Sequence, residues 1–298
     1  MQVGIVGLGK MGLNLALNLA DQKYDVVGYD VDEAVVNAFH HDNLKTTSTL
    51  DEFANTLKGQ KIIWLMVPAG DVTEETVKSL QPYLDKDDIV IDGGNSNYNQ
   101  SIQTGEMLKE HGIHYFDCGT SGGVSGARNG ACLMIGGDKE VFTTIEPIVD
   151  ALALPNGYLY TGDLGSGHFL KMVHNGIEYG MMQAIAEGFE VLHKSPYDYD
   201  FKEVARVFNN GSVIESWLME LMENIFTEDH KLENIRGVMH ATGEGQWTVE
   251  TALDFKVPTP VIALSLMMRY RSLEDDTFSG KVVAALRNQF GGHDVVKK

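Results

Sequence analysis

Short apolar runs that end at glycine or at an acidic residue alternate with helical patterns over the first half of the chain. Residues 2–7 and 25–30 are two such runs, and they flank a helical pattern at residues 10–22. This order predicts a strand–helix–strand unit. Further strands are predicted at residues 61–67, 88–92, 114–118 and 131–137, with a helix at residues 98–111. The alternation predicts an α/β domain of the Rossmann type, with a doubly wound, mostly parallel sheet.

The pattern changes after the glycine-rich segment at residues 162–167. A long helical pattern runs from His168 to about Lys194, and only helical patterns follow it. These later helices are predicted at residues 201–209, 213–226, 246–255, 260–274 and 278–290. We therefore predict two domains, an α/β domain at residues 1–164 and an all-helical domain at residues 165–298.

The charge balance limits which partners the protein can have. The chain has 298 residues and a formal net charge of -19, from 23 basic and 42 acidic residues. Non-specific binding to nucleic acid or to anionic lipid requires a basic surface, so both are excluded as expected partners. An anionic substrate would be repelled by the chain as a whole and would need a local basic cluster.

Cysteine usage and the chain start point to a reducing compartment. Cys118 and Cys132 form no CxxC pair, so we expect neither a metal site nor a disulfide framework. The first residues are expected to belong to the fold and not to a signal peptide. No apolar stretch approaches the ~20 residues of a membrane span. The sequence predicts a soluble, cytoplasmic protein.

A glycine-rich turn follows the first predicted strand and opens the first predicted helix. It has the pattern G-x-G-x-x-G, and its members are Gly7, Leu8, Gly9, Lys10, Met11 and Gly12. In this context the pattern predicts a dinucleotide site, with a pyrophosphate at the helix N-terminus. Asp30 ends the second strand and predicts a hydrogen bond to the ribose hydroxyl of NAD, or alternatively a helix or turn cap. No arginine follows closely, so NADP is the less favoured cofactor.

Two segments that follow predicted strands carry polar or small residues suited to a ligand. Residues 92–96 read DGGNS, and Asn95 would face the ligand crevice at the carboxyl end of its strand. Residues 121–128 begin with Ser121, Gly122 and Gly123, whose backbone N–H groups could form an anion nest. An ordinary glycine turn and a flexible loop are the competing interpretations.

The long helix that starts near residue 168 places four polar side chains on one face. Measured from Lys171, Asn175 lies about 40° round the helix, Glu178 about 20° the other way and His174 about 60° away. The apolar residues between them predict a largely buried helix, and buried polar side chains need partners. A ligand is one candidate, and a solvated helix face is the other interpretation.

Taken together these motifs resemble the 6-phosphogluconate dehydrogenases, a branch of the β-hydroxyacid dehydrogenase superfamily. The resemblance covers nearly the whole chain, and the chain is similar to the short, bacterial-type members of the family. Its motifs, in order, are GLGKMG, DGGNS, SGG followed by GAR, GHFLKMVHNGIEYG and a tail RNQFGGH. It implies NAD-linked oxidation and decarboxylation of 6-phosphogluconate in the pentose phosphate pathway or gluconate utilisation, without a metal, by a homodimer or homotetramer joined through the helical domain.

The resemblance also implies a role for each matching residue. Lys171 would be the base at the C3 hydroxyl, and Glu178 would protonate C1 of the enediol. Burial should lower the pKa of Lys171 from its usual ~10.4, as a base at neutral pH requires. The residues implied to hold the carboxylate and hydroxyls are Asn95, Ser121, Gly122, Gly123, His174 and Asn175. The residues implied to hold the phosphate are Tyr179, Arg269, Arg287 and His293. The cofactor is implied to contact the glycine turn and Asp30, and also Val67, Pro68, Ala69 and Asn95.

One departure from the family pattern concerns the phosphate site. Long members carry K-G-T-G-K-W where this chain has Thr242 to Trp247, so the lysine that contacts the phosphate has no counterpart. Two other functions stay open at this point. One is a β-hydroxyacid dehydrogenase acting on an unphosphorylated acid such as 3-hydroxyisobutyrate. The other is an inactive dinucleotide-binding regulator, which would be expected to lack Lys171 or Glu178.

Overall fold

The structure is a computed structural model, and it describes residues 1–297. Lys298, the last residue of the predicted helical domain, lies outside the described residues. By compactness the chain divides into a first unit, Met1–Asn175, and a second unit that begins at Gly176. The first unit contains the sheet, and the described part of the second unit is helical.

Eight strands form the sheet within the described residues. They are β1 (Gln2–Val6), β2 (Asp25–Tyr29), β3 (Leu44–Thr47), β4 (Ile62–Leu65), β5 (Ile89–Asp92), β6 (His114–Ser121), β7 (Ala131–Gly136) and β8 (Ala153–Gly162). Their order across the sheet is β3-β2-β1-β4-β5-β6-β7-β8. Strands β1 to β6 are parallel, β7 runs antiparallel to β6, and β8 is parallel to β7.

Helices cover the sheet and build the second unit. Those of the first unit are α1 (Lys10–Asp21), α2 (Glu33–Asn37), α3 (Leu50–Thr56), α4 (Asp71–Leu80), α5 (Tyr98–Lys109), α6 (Gly123–Asn129) and α7 (Lys139–Leu152). The long helix α8 (Ser166–Lys194) starts in the first unit and continues into the second. The remaining helices are α9 (Phe201–Phe208), α10 (Trp217–Glu228), α11 (Gly243–Asp254), α12 (Pro260–Ser272) and α13 (Phe278–Gly291).

The central strands are buried on both faces, as expected for a parallel sheet between two helical layers. Alternate residues of β1, β4 and β5 contribute to two separate cores. Ile5, Trp64 and Ile91 belong to one core, and Val6 and Leu65 belong to the other. The continuous apolar runs in the sequence therefore reflect burial on both sides. A smaller cluster of aromatic side chains forms a core within the second unit.

The predicted fold class is confirmed, because a doubly wound sheet is followed by helices alone among the described residues. All six predicted strands are present. Strands β3 and β8 were not predicted. β3 is short and mostly polar, while β8 lies at the sheet edge and includes Pro155, Asn156 and Gly157. In the described part of the chain, no helix combines the length and the apolarity needed to cross a membrane.

Candidate active site

The glycine turn joins β1 to α1 in a conformation that requires small residues. Gly7 has φ +90°, which is the left-handed region. A Cβ on Gly12 would lie 1.9 Å from the carbonyl oxygen of Gly7, so α1 can pack this close only with glycine there. A Cβ on Gly9 would meet nothing within 4 Å, and no side chain caps the helix at that residue. The start of α1 therefore has no side-chain cap and has space beside Gly9, which fits a pyrophosphate group.

Asp30 lies directly after β2 and contacts the glycine turn. Its Oδ2 accepts a hydrogen bond from the backbone N–H of Leu8 at 2.7 Å, and its Oδ1 accepts one from the N–H of Asp32 at 2.9 Å. The cap of the next helix, α2, is Asp32, whose side chain accepts from Ala34. Asp30 thus bonds the glycine turn through Leu8 and caps its own turn through the N–H of Asp32, while the cap of helix α2 is Asp32.

The other residues expected to touch the cofactor also follow parallel strands. Val67, Pro68 and Ala69 come just after β4, and Asn95 comes just after β5. Since β1 to β6 are parallel, their carboxyl ends share one edge of the sheet. The strand order reverses between β1 and β4, and ligands of open α/β sheets bind at such a switch point. The structure therefore places the predicted cofactor residues at one edge.

A buried carboxylate shapes the turn that carries Asn95. Asp92, at the end of β5, accepts a hydrogen bond from the N–H of Gly94 at 3.0 Å and another from the hydroxyl of Tyr115 at 3.1 Å. Asp92 is buried, whereas Asn95 is exposed. The buried carboxylate of Asp92 therefore holds the turn, and the Asn95 amide stays accessible to a ligand.

The segment that starts at Ser121 is a turn followed by a helix, and not an open loop. Gly122 and Gly123 have φ values of +113° and +58°, and α6 starts at Gly123. Arg128, at the other end of α6, forms an ion pair with Asp21 at the end of α1. The small residues at the start of α6 are needed for this backbone, and their N–H groups lie at a helix start beside Ser121.

Lys171 lies in the second turn of α8, pressed against the backbone of β6. A Cβ added to Gly119 would lie 2.3 Å from the Cβ of Lys171. The side chain of Lys171 is only 6% exposed. The helix is less buried further along, since Ile177 and Met181 are exposed in the single chain. The expectation of a largely buried helix holds for the part that carries Lys171.

Ser121, His174 and Asn175 are brought together at the end of β6. The hydroxyl of Ser121 is 3.3 Å from Nε2 of His174, and Nδ1 of His174 is 3.0 Å from Oδ1 of Asn175. The ring of His174 therefore bridges Ser121 and Asn175 through its two nitrogens. His174 and Asn175 follow Lys171 by about one turn of α8, and with Ser121 at the end of β6 they form a polar cluster suited to a carboxylate and hydroxyl groups.

In the second unit, Tyr179 and Arg269 contact each other. The guanidinium carbon of Arg269 lies 3.5 Å from the centre of the Tyr179 ring, and Nη1 of Arg269 donates to the carbonyl of His240. The Tyr179 hydroxyl accepts a hydrogen bond from the N–H of Thr242 at 3.0 Å and also bonds the Thr242 hydroxyl. Stacking and the carbonyl fix the arginine, and its remaining N–H donors suit a phosphate.

The other predicted site residues of the second unit are Glu178, Arg287 and His293. Glu178 is half-buried and follows Lys171 by two helical turns on α8. Arg287 is exposed near the end of α13, and His293 is exposed just after it. Within the described residues, neither of these two forms a hydrogen bond or ion pair with Tyr179 or Arg269. Also among those residues, no group of three or more His, Cys, Asp or Glu side chains is arranged to hold a metal ion.

Two residues near Lys171 were not singled out from the sequence. Asp117 and Gly119 lie inside β6, and both contact α8. A signal was present for Asp117, because an acidic residue inside an apolar strand requires a buried partner. Gly119 carried a weaker signal, since a glycine inside a strand marks a close approach by another segment.

Comparison with known proteins identifies the family of both parts of the chain. Residues 2–162 match the NAD binding domain of 6-phosphogluconate dehydrogenase, and residues 167–295 match the C-terminal domain of that enzyme. A Bacillus subtilis protein, YqeC, provisionally named a 6-phosphogluconate dehydrogenase, is 56% identical over 298 residues and is covered completely, as is this chain. A Haloferax volcanii enzyme named as NAD(+)-dependent and decarboxylating is 42% identical, with 100% of this chain and 99% of that protein covered.

A solved structure gives the same result for the fold. The Plasmodium falciparum 6-phosphogluconate dehydrogenase, studied with NADP+ and with 6-phosphogluconate, matches with a TM-score of 0.83 and 29% identity. That match covers 100% of this chain and 66% of the parasite chain. The motifs along the sequence, the two domain matches and the relatives agree with one another. The chain belongs to the 6-phosphogluconate dehydrogenase family of oxidoreductases.

Proposed function

We propose that this protein catalyses the NAD-linked oxidative decarboxylation of 6-phosphogluconate to ribulose 5-phosphate and CO₂. The observation that carries the proposal is the position of Lys171. Its side chain is buried at the sheet edge where the glycine turn, Asn95 and Ser121 also lie. A buried lysine at the same edge of the sheet as a dinucleotide turn and a polar cluster suited to hydroxyl groups is the arrangement that oxidation of a secondary alcohol requires.

NAD is the proposed cofactor, with NADP less favoured. The first turn of α1 would hold the pyrophosphate, and Val67, Pro68, Ala69 and Asn95 would line the path toward the nicotinamide. Asp30 would accept hydrogen bonds from the ribose hydroxyls, and its charge would repel a 2′-phosphate. The hydrogen bond from Leu8 already fixes the carboxylate of Asp30 beside the turn. The Haloferax volcanii relative supports NAD, while the Plasmodium falciparum relative was studied with NADP+.

When bound, NAD supplies the acceptor for the hydride that leaves C3 of the substrate. Lys171 would remove the proton from the C3 hydroxyl at the same time. The resulting β-keto acid loses CO₂ because its ketone can accept the electron pair, and protonated Lys171 would donate a hydrogen bond to the C3 oxygen. Glu178, two helical turns further along α8, would then deliver a proton to C1 of the enediol. These two residues divide the proton transfers between them. Because the ketone itself can accept the electron pair, we expect no need for a metal.

The substrate would be held at its two ends by different groups. Ser121, Gly122, Gly123, His174 and Asn175, together with Asn95, would bind the carboxylate and hydroxyls. Tyr179, Arg269, Arg287 and His293 would bind the phosphate. The fixed guanidinium of Arg269 supplies the local positive charge that an acidic chain needs to attract an anion. With Thr242 in place of a lysine, we assign the larger share of phosphate binding to the arginines.

We further propose that the protein is a cytoplasmic homodimer or homotetramer, with a cofactor domain at residues 1–164 and a substrate and assembly domain at residues 165–298. Helix α13 has no buried residue in the single chain. Its exposed apolar side chains are Phe278, Val282, Val283, Leu286 and Phe290. An exposed apolar face of this extent supports association through the helical domain.

A substrate panel tests the proposal. Purified protein is mixed with NAD and either 6-phosphogluconate, gluconate or 3-hydroxyisobutyrate, and NADH absorbance is followed. We expect NADH only with 6-phosphogluconate, because both other acids lack the phosphate that Arg269 would bind. Equal or faster reaction with 3-hydroxyisobutyrate would assign the protein to a related β-hydroxyacid dehydrogenase, and no reaction with any acid would favour a regulator.

A further inference from the structure

Helix α8 begins without a cap from its own sequence. The residue before its first helical position is Gly165, which has no side chain and has φ +94°. The first N–H groups of a helix need acceptors from outside the helix, and a buried helix start without them is unstable. The acceptor here comes from another element of the first unit, the middle of strand β6.

Asp117 of β6 supplies this cap with both carboxylate oxygens. Oδ1 accepts a hydrogen bond from the N–H of Gly165 at 2.7 Å, and Oδ2 accepts one from the N–H of His168 at 2.6 Å. The side chain of Asp117 is 0% exposed. Burial raises the pKa of Asp117, while His168 and the backbone N–H groups act in the opposite direction. A carboxylate at a helix N-terminus is favoured by the helix dipole as well as by these bonds.

The backbones of β6 and α8 approach each other closely at their junction. A Cβ on Gly167 would lie 2.6 Å from the carbonyl oxygen of Asp117 and 2.4 Å from that of Met134. Lys171 follows one turn after His168 and rests on Gly119, two residues after Asp117 in the same strand. Strand β6 therefore holds α8 at Asp117 and Gly119 and ends at Ser121, which bonds His174 of α8.

We propose that Asp117 is a positioning residue that fixes Lys171 and His174 relative to Ser121, by tying the first turn of α8 to strand β6. This inference rests on the proposed function, in which Lys171 is the base. Asp117 touches neither substrate nor cofactor in this account and acts through the helix. Removal of the cap lets the start of α8 shift, and a misplacement of about 1 Å at a reacting group can cost about 10²-fold in rate.

A second buried aspartate provides a matched control. Asp88 is 2% exposed, lies just before β5, and accepts hydrogen bonds from the N–H groups of Lys61 at 2.7 Å and Asp85 at 2.8 Å. It also pairs with the side chain of Lys61. Asp88 therefore resembles Asp117 in burial and in its two backbone donors. It lies at the amino end of its strand, which is the edge of the sheet opposite the proposed site.

The experiment compares Asp117→Asn with Asp88→Asn in the full chain. Melting temperature, kcat and the KM values for NAD and 6-phosphogluconate are measured, and acetylation of Lys171 by acetic anhydride is followed by mass spectrometry without substrate. We expect both variants to melt earlier. Only Asp117→Asn should lose kcat, by about 10- to 100-fold, with KM for NAD nearly unchanged. Only Asp117→Asn should change the rate of Lys171 acetylation.

Several outcomes would overturn the proposal. One is a kcat of Asp117→Asn no lower than that of Asp88→Asn, and another is an unchanged acetylation rate of Lys171. Asp117→Ser is measured alongside, because its smaller side chain fits the buried site without strain. If neither Asp117 variant folds while Asp88→Asn does, Asp117 serves the fold only. The wild type could instead be inactive on 6-phosphogluconate while Asp117→Asn still changes the rate of Lys171 acetylation. That result would refute the proposed function and keep the positioning role of Asp117.

Discussion

Replacement of Gly119 by alanine should reduce catalysis more than stability, because the added methyl group meets Lys171. The new Cβ would lie 2.3 Å from the Cβ of Lys171, 3.0 Å from its Cγ and 3.1 Å from the carbonyl oxygen of Gly167. Favourable contact between carbon atoms starts at about 3.5 Å, so Lys171 must move by about 1 Å. A displacement of this size at a reacting group can cost about 10²-fold in kcat.

The stability cost of the same change is moderate. Extra methyl groups in a packed interior cost about 1–3 kcal/mol. Gly4→Ala is the matched control, since its Cβ would lie 2.6 Å from the ring of Phe53 in a core away from the proposed site. Both variants are measured for melting temperature and for NADH formation at saturating substrates. Gly119→Ala with a kcat close to that of Gly4→Ala would refute the placement of Lys171 at the reacting atoms.

Further predictions concern the proton-transfer residues, the cofactor turn and the tail. Lys171→Met should keep NAD binding and retain less than about 1% of kcat, because general-base catalysis is worth about 10²–10⁴-fold; higher retention would contradict the base assignment. Glu178→Gln should fold and turn over slowly. Its greatest loss should be in the transfer of a solvent hydrogen to C1 of the enediol that becomes ribulose 5-phosphate, and incorporation of a solvent isotope into that product measures this step. NAD should exceed NADP in kcat/KM by at least about tenfold, or ~1.4 kcal/mol, and Asp30→Ala should lose mainly NAD activity; equal use of both cofactors by the wild type would refute the role of Asp30. Truncation before Arg287 should raise KM for 6-phosphogluconate far more than KM for NAD, whereas an unchanged substrate KM would make the tail structural only.

Much of the cofactor half of the site could be predicted from the sequence because its requirements are local. The glycine turn needs small residues at fixed spacing between a strand and a helix, and the structure has Gly7 and Gly12 in those roles. Asp30 was expected to bind ribose or to cap a helix or turn. Asp32 is the helix cap, whereas Asp30 accepts hydrogen bonds from the N–H groups of Leu8 and Asp32 within the turn, and its ribose role stays a prediction.

The contacts around Lys171 could not be predicted, because they join residues far apart in the chain. The sequence places Lys171, His174, Asn175 and Glu178 on one helix face, but it does not show which strand lies beneath them. The tie between Asp117 and the N–H of His168 spans about fifty residues, and the fit of Gly119 against Lys171 depends on the packing of α8 on β6. Strand β8 was missed for a different reason, because an edge strand need not be apolar and so gives no clear sequence signal.

The proposed reaction is tested most directly by the stoichiometry of its products. Wild-type protein is incubated with NAD and 6-phosphogluconate isotopically labelled at C1, and NADH, labelled CO₂ and ribulose 5-phosphate are quantified together. The account predicts that the three products form in equal amounts and that Lys171→Met forms all three at less than about 1% of the wild-type rate. NADH without labelled CO₂ would mean oxidation without decarboxylation, and the absence of NADH would contradict the proposed function altogether.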